Sequence, residues 1–155
     1  MAATGDPQIR PVRGWREFEL ALEIRRAVFV QEQGGPPEDE PDAWDSCARH
    51  WLVLAGERPA GTARVYQPRR GLAKLGRIAL LPEFRGRGWG ALLMRALEQY
   101  AGSLGVTELA LDAQVCAVPF YERLGYVPEG EEFLEAGIPH RRMVKRLRTR
   151  TAPPI

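Results

Sequence analysis

Residues 82–90 (PEFRGRGWG) constrain this chain more than any other stretch. They join an apolar β-like run, 74–81, to a pattern in which Leu93, Ala96, Leu97, Tyr100 and Leu104 share one helical face, with Gly105 placed to end the helix. Gly86, Gly88 and Gly90 lack Cβ atoms, so backbone N–H groups can turn inward and approach an anion closely. The helix that follows presents its unpaired first-turn donors and positive dipole end to the same point. Arg85 and Arg87 can add charge-assisted bonds to phosphate oxygens. A tight turn that binds nothing is the plainer alternative. Three glycines in five residues cost conformational entropy, which favours a phosphate site.

Known phosphate motifs narrow the ligand. No GxxxxGK(S/T) segment is present, so a P-loop nucleotide triphosphatase is excluded. Gly86-x-Gly88-x-x-Ala91 does satisfy the dinucleotide fingerprint, and Asp112 follows at a suitable distance at a predicted strand end. That fingerprint belongs after the first strand of a βαβ unit, whereas an antiparallel meander precedes it here. Too little chain follows Asp112 to complete a doubly wound sheet.

Periodicity supplies the remaining elements. Residues 8–13 read as a short strand and 15–31 as a helix with Phe18, Leu22 and Phe29 on one stripe. Arg25 falls in that stripe, so it needs a partner or a cavity. Residues 34–46, with three prolines and five acids, read as a solvated acidic loop and not as a metal site. Runs at 50–54, 62–66 and 74–81 predict a meander, and 108–112 a further strand whose last residue, Asp112, caps a turn. Pro119 opens a short helix that Gly125 ends, and strands near 126–131 and 141–146 follow. The expected fold is α/β (α+β): a mixed, mostly antiparallel twisted sheet of about six to seven strands flanked by helices.

A chain of 155 residues is the size of one domain, with an ordered core at about 8–147 and a basic, then Pro-rich, tail beyond it. The 22 basic and 20 acidic residues are too evenly balanced to indicate nucleic-acid binding. Residues 1–8 lack a signal-peptide pattern, and no apolar run approaches a membrane span of roughly 18 residues. Cys47 and Cys116 show no disulfide or metal spacing. A cytoplasmic protein without a membrane partner or a metal is expected, monomeric or homodimeric through strands at the C-terminal edge.

The loop at 85–90, preceded by Leu80-Leu-Pro82, resembles the acyl-CoA pyrophosphate loop of the GCN5-related N-acetyltransferases, (R/Q)-x-x-G-x-(G/A). Residues 113–126 (AQVCAVPFYERLGY) resemble that superfamily's FYxxLGF segment. Residues 25–33 (RRAVFVQEQ) and 137–143 (GIPHRRM) are similar to a small bacterial subgroup of it. The resemblance spans roughly residues 8–147. It implies that the strand before the loop splays from its neighbour and that pantetheine lies in the gap. Backbone groups of Ile78 and Leu80 would bond the pantetheine amides, and N–H groups of Arg85, Gly86, Arg87, Gly88, Trp89 and Gly90 the pyrophosphate. Gln114 stands where an amide often approaches the pantetheine arm. Acetyl-CoA is the implied co-substrate, and a small-molecule amine is the acceptor.

Transfer from a thioester to an amine needs a base for the amine, donors for the oxyanion and an acid for the thiolate. The resemblance places Tyr121 beside the sulfur, as the acid. His140 follows a Gly-Ile-Pro turn, and an imidazole ordinarily titrates near neutrality, so it is the first choice of base. It also resembles the base-bearing Pro-His segment of the glyphosate-acetylating branch. Glu32, acting through a water, is the second choice. His50 reads as structural. The same branch implies Arg25 and Arg77 as holders of an anionic acceptor; the equal alternative for both is a buried ion-pair partner. The alternative to an N-acyltransferase is a sensor module that binds acyl-CoA without turnover.

Overall fold

The computed structural model describes residues 5–148. In chain order the elements are β1 (Gln8–Pro11), α1 (Gly14–Arg25), β2 (Arg49–Ala55), β3 (Arg58–Arg69) and β4 (Leu72–Leu80). They continue as α2 (Trp89–Ser103), β5 (Glu108–Gln114), α3 (Val118–Arg123), β6 (Val127–Glu135) and β7 (Ile138–Arg146). The seven strands form one sheet in the order β1-β2-β3-β4-β5-β7-β6. Every neighbouring pair is antiparallel except β4 and β5.

β2 shows why the sheet lies between two layers. Trp51 and Val53 join the cluster on one face and Leu52 and Leu54 the cluster on the other, and all four are buried. A strand apolar on both faces needs cover on both. Leu93, Met94, Leu97 and Ala101 of α2 cover the first face. Ala21 and Ile24 of α1 cover the second, with Val28 from the helical turn beyond. Burying a leucine such as Leu93 or Leu97 stabilises the fold by about 1.5–3 kcal/mol.

The structure departs from the sequence reading in four places. The first helix widens to π-helical turns over Arg26–Glu32. The 34–46 segment is not a solvated loop: it carries two 3-10 turns, Pro37–Asp39 and Ala43–Cys47, and buries Glu40 and Asp45. Asp112 does not end its strand; it lies within β5 and bridges Lys74 and Arg142 at 2.6 Å each. Finally, Ile138, Pro139 and His140 belong to β7 and form no turn, because the turn is made by Ala136 and Gly137, both at positive φ (51° and 76°). That pair of angles suits a two-residue hairpin connection. Of the expected tail, residues 149–155 lie outside the described residues. No helix among the described residues is long and apolar enough to cross a membrane.

Candidate active site

The site begins where two parallel strands part. β4 and β5 pair from Leu72↔Glu108 to Leu75↔Leu111 and no further, although β4 runs on to Leu80 and β5 to Gln114. Against β3, the register of β4 slips between Thr62 and Arg64, so one extra residue is inserted near Arg77. Such a bulge bends the strand and sharpens its twist. Arg77 sits there at φ 48°, a left-handed conformation that costs a non-glycine residue about 1–2 kcal/mol. Its guanidinium is held by Glu40 at 2.9 Å and Asp42 at 3.0 Å. A cavity of about 580 Å³ opens in the gap and reaches from His140 and Trp44 to Leu80 and Arg85.

The free edge of β4 faces this gap. Leu81 N–H donates to Ala60 O at 2.8 Å on the β3 side, so strand alternation turns the backbone groups of Leu80 the other way. Ile78 and Leu80 both line the cavity. The Leu80 carbonyl accepts a bond from Arg85 Nε at 3.0 Å, which leaves its N–H as the group facing the gap.

The glycine loop follows. Gly86 and Gly88 take φ values of 77° and 79°, and Gly88 is the N-cap of α2. Leu92 N–H makes the first helical bond, to Gly88 O at 3.3 Å, so the N–H groups of Trp89, Gly90 and Ala91 have no partner within the helix. A Cβ on Gly90 would stand 3.2 Å from the Phe120 ring. The Trp89 side chain does not face a ligand: it is buried and stacked on Phe84, with ring centroids 5.4 Å apart. Arg87 lies 5.5 Å over each of those rings and donates to Glu83 O. Arg85 crosses the mouth of the gap and forms a two-pronged pair with Glu32, at 2.7 Å on both prongs.

Tyr121 and His140 both line the cavity, from α3 and β7. Tyr121 is buried, and burial raises its phenol above the ordinary value. His140 Nδ1 lies 2.7 Å from Ile138 O. A carbonyl only accepts, so Nδ1 carries a proton, and in the neutral tautomer this leaves Nε2 as the nitrogen with the lone pair. Nε2 stands 3.5 Å from Glu135 Oε2. Gln114 lies opposite His140 in the β5–β7 register and donates to Gln33 at 2.9 Å.

Other expected residues are placed elsewhere. Arg25 is 1% exposed, does not line the cavity, and bonds Asp45 and Glu40 at 2.6–2.9 Å; the ion-pair alternative is the one the fold adopts. Arg64 completes the cluster on Asp42 and Asp45. Glu32 also lies off the cavity wall, and the bonds from Arg85 hold its carboxyl below the usual range. His50 bonds Asp45 O and packs edge-on against Phe18, a structural role as expected. Glu135, Asp39, Trp44 and Lys74, which the sequence reading passed over, line the cavity. For Glu135 a signal existed: Ala136-Gly137 between two alternating runs is a hairpin turn that sets Glu135 near His140.

Comparison with known proteins agrees with this geometry. The family model described as an acetyltransferase (GNAT) domain matches residues 38–147. YjcF of Bacillus subtilis (strain 168), an uncharacterised N-acetyltransferase, is 43% identical over 130 residues, 83% of this chain and 92% of that protein. The crystal structure of an acyl-CoA N-acyltransferase from Pseudomonas aeruginosa aligns with a TM-score of 0.79 at 28% identity, covering 90% of this chain and 98% of that one. Escherichia coli ElaA aligns at 0.80 and 26%, covering 90% and 99%. A parted parallel pair, a glycine loop at its end and this family match lead to one assignment: the chain belongs to the GNAT acetyltransferase family and is an acyl-CoA-dependent acetyltransferase.

Proposed function

We propose that this protein moves the acyl group of acetyl-CoA directly onto the primary or secondary amine of a small molecule. The observation that carries the reading is the edge of β4: Ile78 and Leu80 border a gap whose lining reaches Arg85, the residue before Gly86, Gly88 and the unpaired first-turn amides of α2. In this reading the pantetheine arm adds to β4 as an extra strand would. The diphosphate takes the loop and helix N–H groups. Gln114, already bonded to Gln33, offers its amide to the same arm.

For the chemistry, His140 Nε2 accepts a proton from the acceptor ammonium, and the freed nitrogen lone pair attacks the thioester carbonyl. A C–N bond forms, and the carbonyl π electrons pass to oxygen. When the C=O reforms, the C–S bond breaks and Tyr121 gives its proton to the departing sulfur, while the surplus proton still on the attacking nitrogen passes to the Tyr121 phenolate and leaves a neutral amide. Burial keeps that phenol protonated until it is needed. Glu32 has no part, being bound to Arg85. The exposed thiols of Cys47 and Cys116 fit a reducing, cytoplasmic setting.

The test is incubation with acetyl-CoA and a panel of amines, reading free thiol and acetylated product. Turnover with stoichiometric amide formation is expected. Micromolar CoA binding with no turnover on any amine would replace the transferase by an acyl-CoA sensor.

A further inference from the structure

The acceptor side of the cavity has a charge balance that bears on which amine it takes. Arg77 is matched by Glu40 and Asp42, and Arg64 by Asp42 and Asp45. Arg25 closes the set beneath them on Glu40 and Asp45. Three guanidiniums therefore face three carboxylates, and the formal charges cancel. Lys74 lies 2.6 Å from Asp112, and Arg85 is paired with Glu32. Every cationic side chain on the wall thus has an anionic partner before any acceptor enters.

Two wall carboxylates differ. Asp39 makes no side-chain hydrogen bond or ion pair among the described residues; only its backbone is used, the N–H donating to Pro36 O and the carbonyl accepting from Arg77. Glu135 is half exposed and has one neighbour, His140 Nε2 at 3.5 Å. Near Asp39 in the chain, Trp44 is 47% exposed, lines the same cavity and stacks on Tyr66 with centroids 4.6 Å apart. A stacked, partly exposed indole offers a π face that attracts a cation.

Resting on the transferase reading above, we infer that the acceptor is a diamine or oligoamine. Its reacting ammonium is received between Glu135 and His140, and a second positive centre is held by Asp39 and the face of Trp44. An acceptor carboxylate has no comparable place. Arg77 already bonds Glu40 through Nε and Asp42 through Nη2, so a carboxylate reaching its remaining donors would meet a guanidinium whose charge those two acids already offset. It would also meet Asp39 and Glu135 at like sign.

Three amines of one chain length test this: 1,5-diaminopentane, pentylamine and 5-aminopentanoate, each with saturating acetyl-CoA. The expected order of kcat/KM is diamine, monoamine, amino acid, with about tenfold or more between the first and last. Asp39→Asn should narrow the diamine-to-monoamine ratio, chiefly through KM, and added salt should do the same. A rate for the amino acid equal to or above that of the diamine overturns the inference. The same three amines are also titrated calorimetrically into the protein–CoA complex. Tightest binding of the diamine without turnover keeps the inference and removes the transferase reading; equal affinities, or preference for the amino acid, remove the inference itself.

Discussion

His140 and Tyr121 reach the cavity with their proton positions already determined by their surroundings. The 2.7 Å contact with Ile138 O orients the imidazole, because Nδ1 must donate there, and it is Nε2 that carries the lone pair in the neutral ring. Replacing the ring by alanine removes the proposed base while Ile138 O, a strand carbonyl, can turn to water. His140→Ala should lower kcat by about 10²–10⁴-fold with CoA affinity unchanged, as single-turnover rates and a binding titration would show. Tyr121 lies in a buried setting that disfavours phenolate, so its proton is retained across the assay range. Tyr121→Phe keeps the packing against Phe120 and Tyr126 and deletes only the hydroxyl proposed as the acid. A fall in kcat of about 10²-fold is expected, smaller for thioesters whose thiol is more acidic. Equal rates in wild type and variant would transfer the acid role to water.

At the scale of elements, the segment from Pro37 to Cys47 is held to α1, β3 and β4 by charge. Arg25, Arg64 and Arg77 come from those three elements, and Glu40, Asp42 and Asp45 from the segment. Asp45→Ala leaves Arg25, 1% exposed, with only Glu40, and should cost about 3–5 kcal/mol in urea unfolding. Acid should act on the same contacts. Burial works to raise Asp42 and Asp45, and the guanidinium bonds of Arg25 and Arg64 outweigh it, so both are held below the usual range; Asp112 is held down likewise by Arg142 and Lys74. A depressed carboxylate contributes its stability fully above its unfolded value, near 3.9, and loses it as pH falls toward the folded one. Thermal midpoints should hold between pH 7 and about 5 and drop below about 4, and Asp45→Asn should flatten that drop. A flat profile in the parent protein would contradict the account. This cluster also marks where the sequence stops being informative. The succession of elements along the chain and the glycine loop are legible because they depend on local periodicity and on glycine's lack of a Cβ. The place of Arg25 depends on carboxylates 15 and 20 residues away, and no local pattern separates a buried loop acid from a solvated one. Arg25 on the core stripe did announce that it needed partners, but not which. The widening over Arg26–Glu32 depends on packing in the same way.

For the whole molecule, ligand and fold should be coupled through the loop that caps α2. Gly88 adopts φ 79° and nothing stands within 4 Å of its would-be Cβ, so Gly88→Val strains backbone without a steric clash. The strain should turn the loop amides away and weaken CoA at least about tenfold, with α2 intact by circular dichroism. Conversely, CoA at a hundred times its Kd should stabilise the wild type by about 2.7 kcal/mol, a rise of about 5–10 °C in a chain of 155 residues. The variant should show little rise at the same concentration. The parting of the central strands has one more outcome. Only four residue pairs, Leu72↔Glu108 to Leu75↔Leu111, join the β1–β4 half of the sheet to the β5–β7 half. Past that short seam, the amide hydrogens of Ile78 and Leu80 should swap with deuterated solvent quickly in the ligand-free protein. A bound pantetheine would stitch the seam onward and slow those two sites far more than their neighbours bonded to β3, so the isotope clock of a single strand would report whether the two halves are joined.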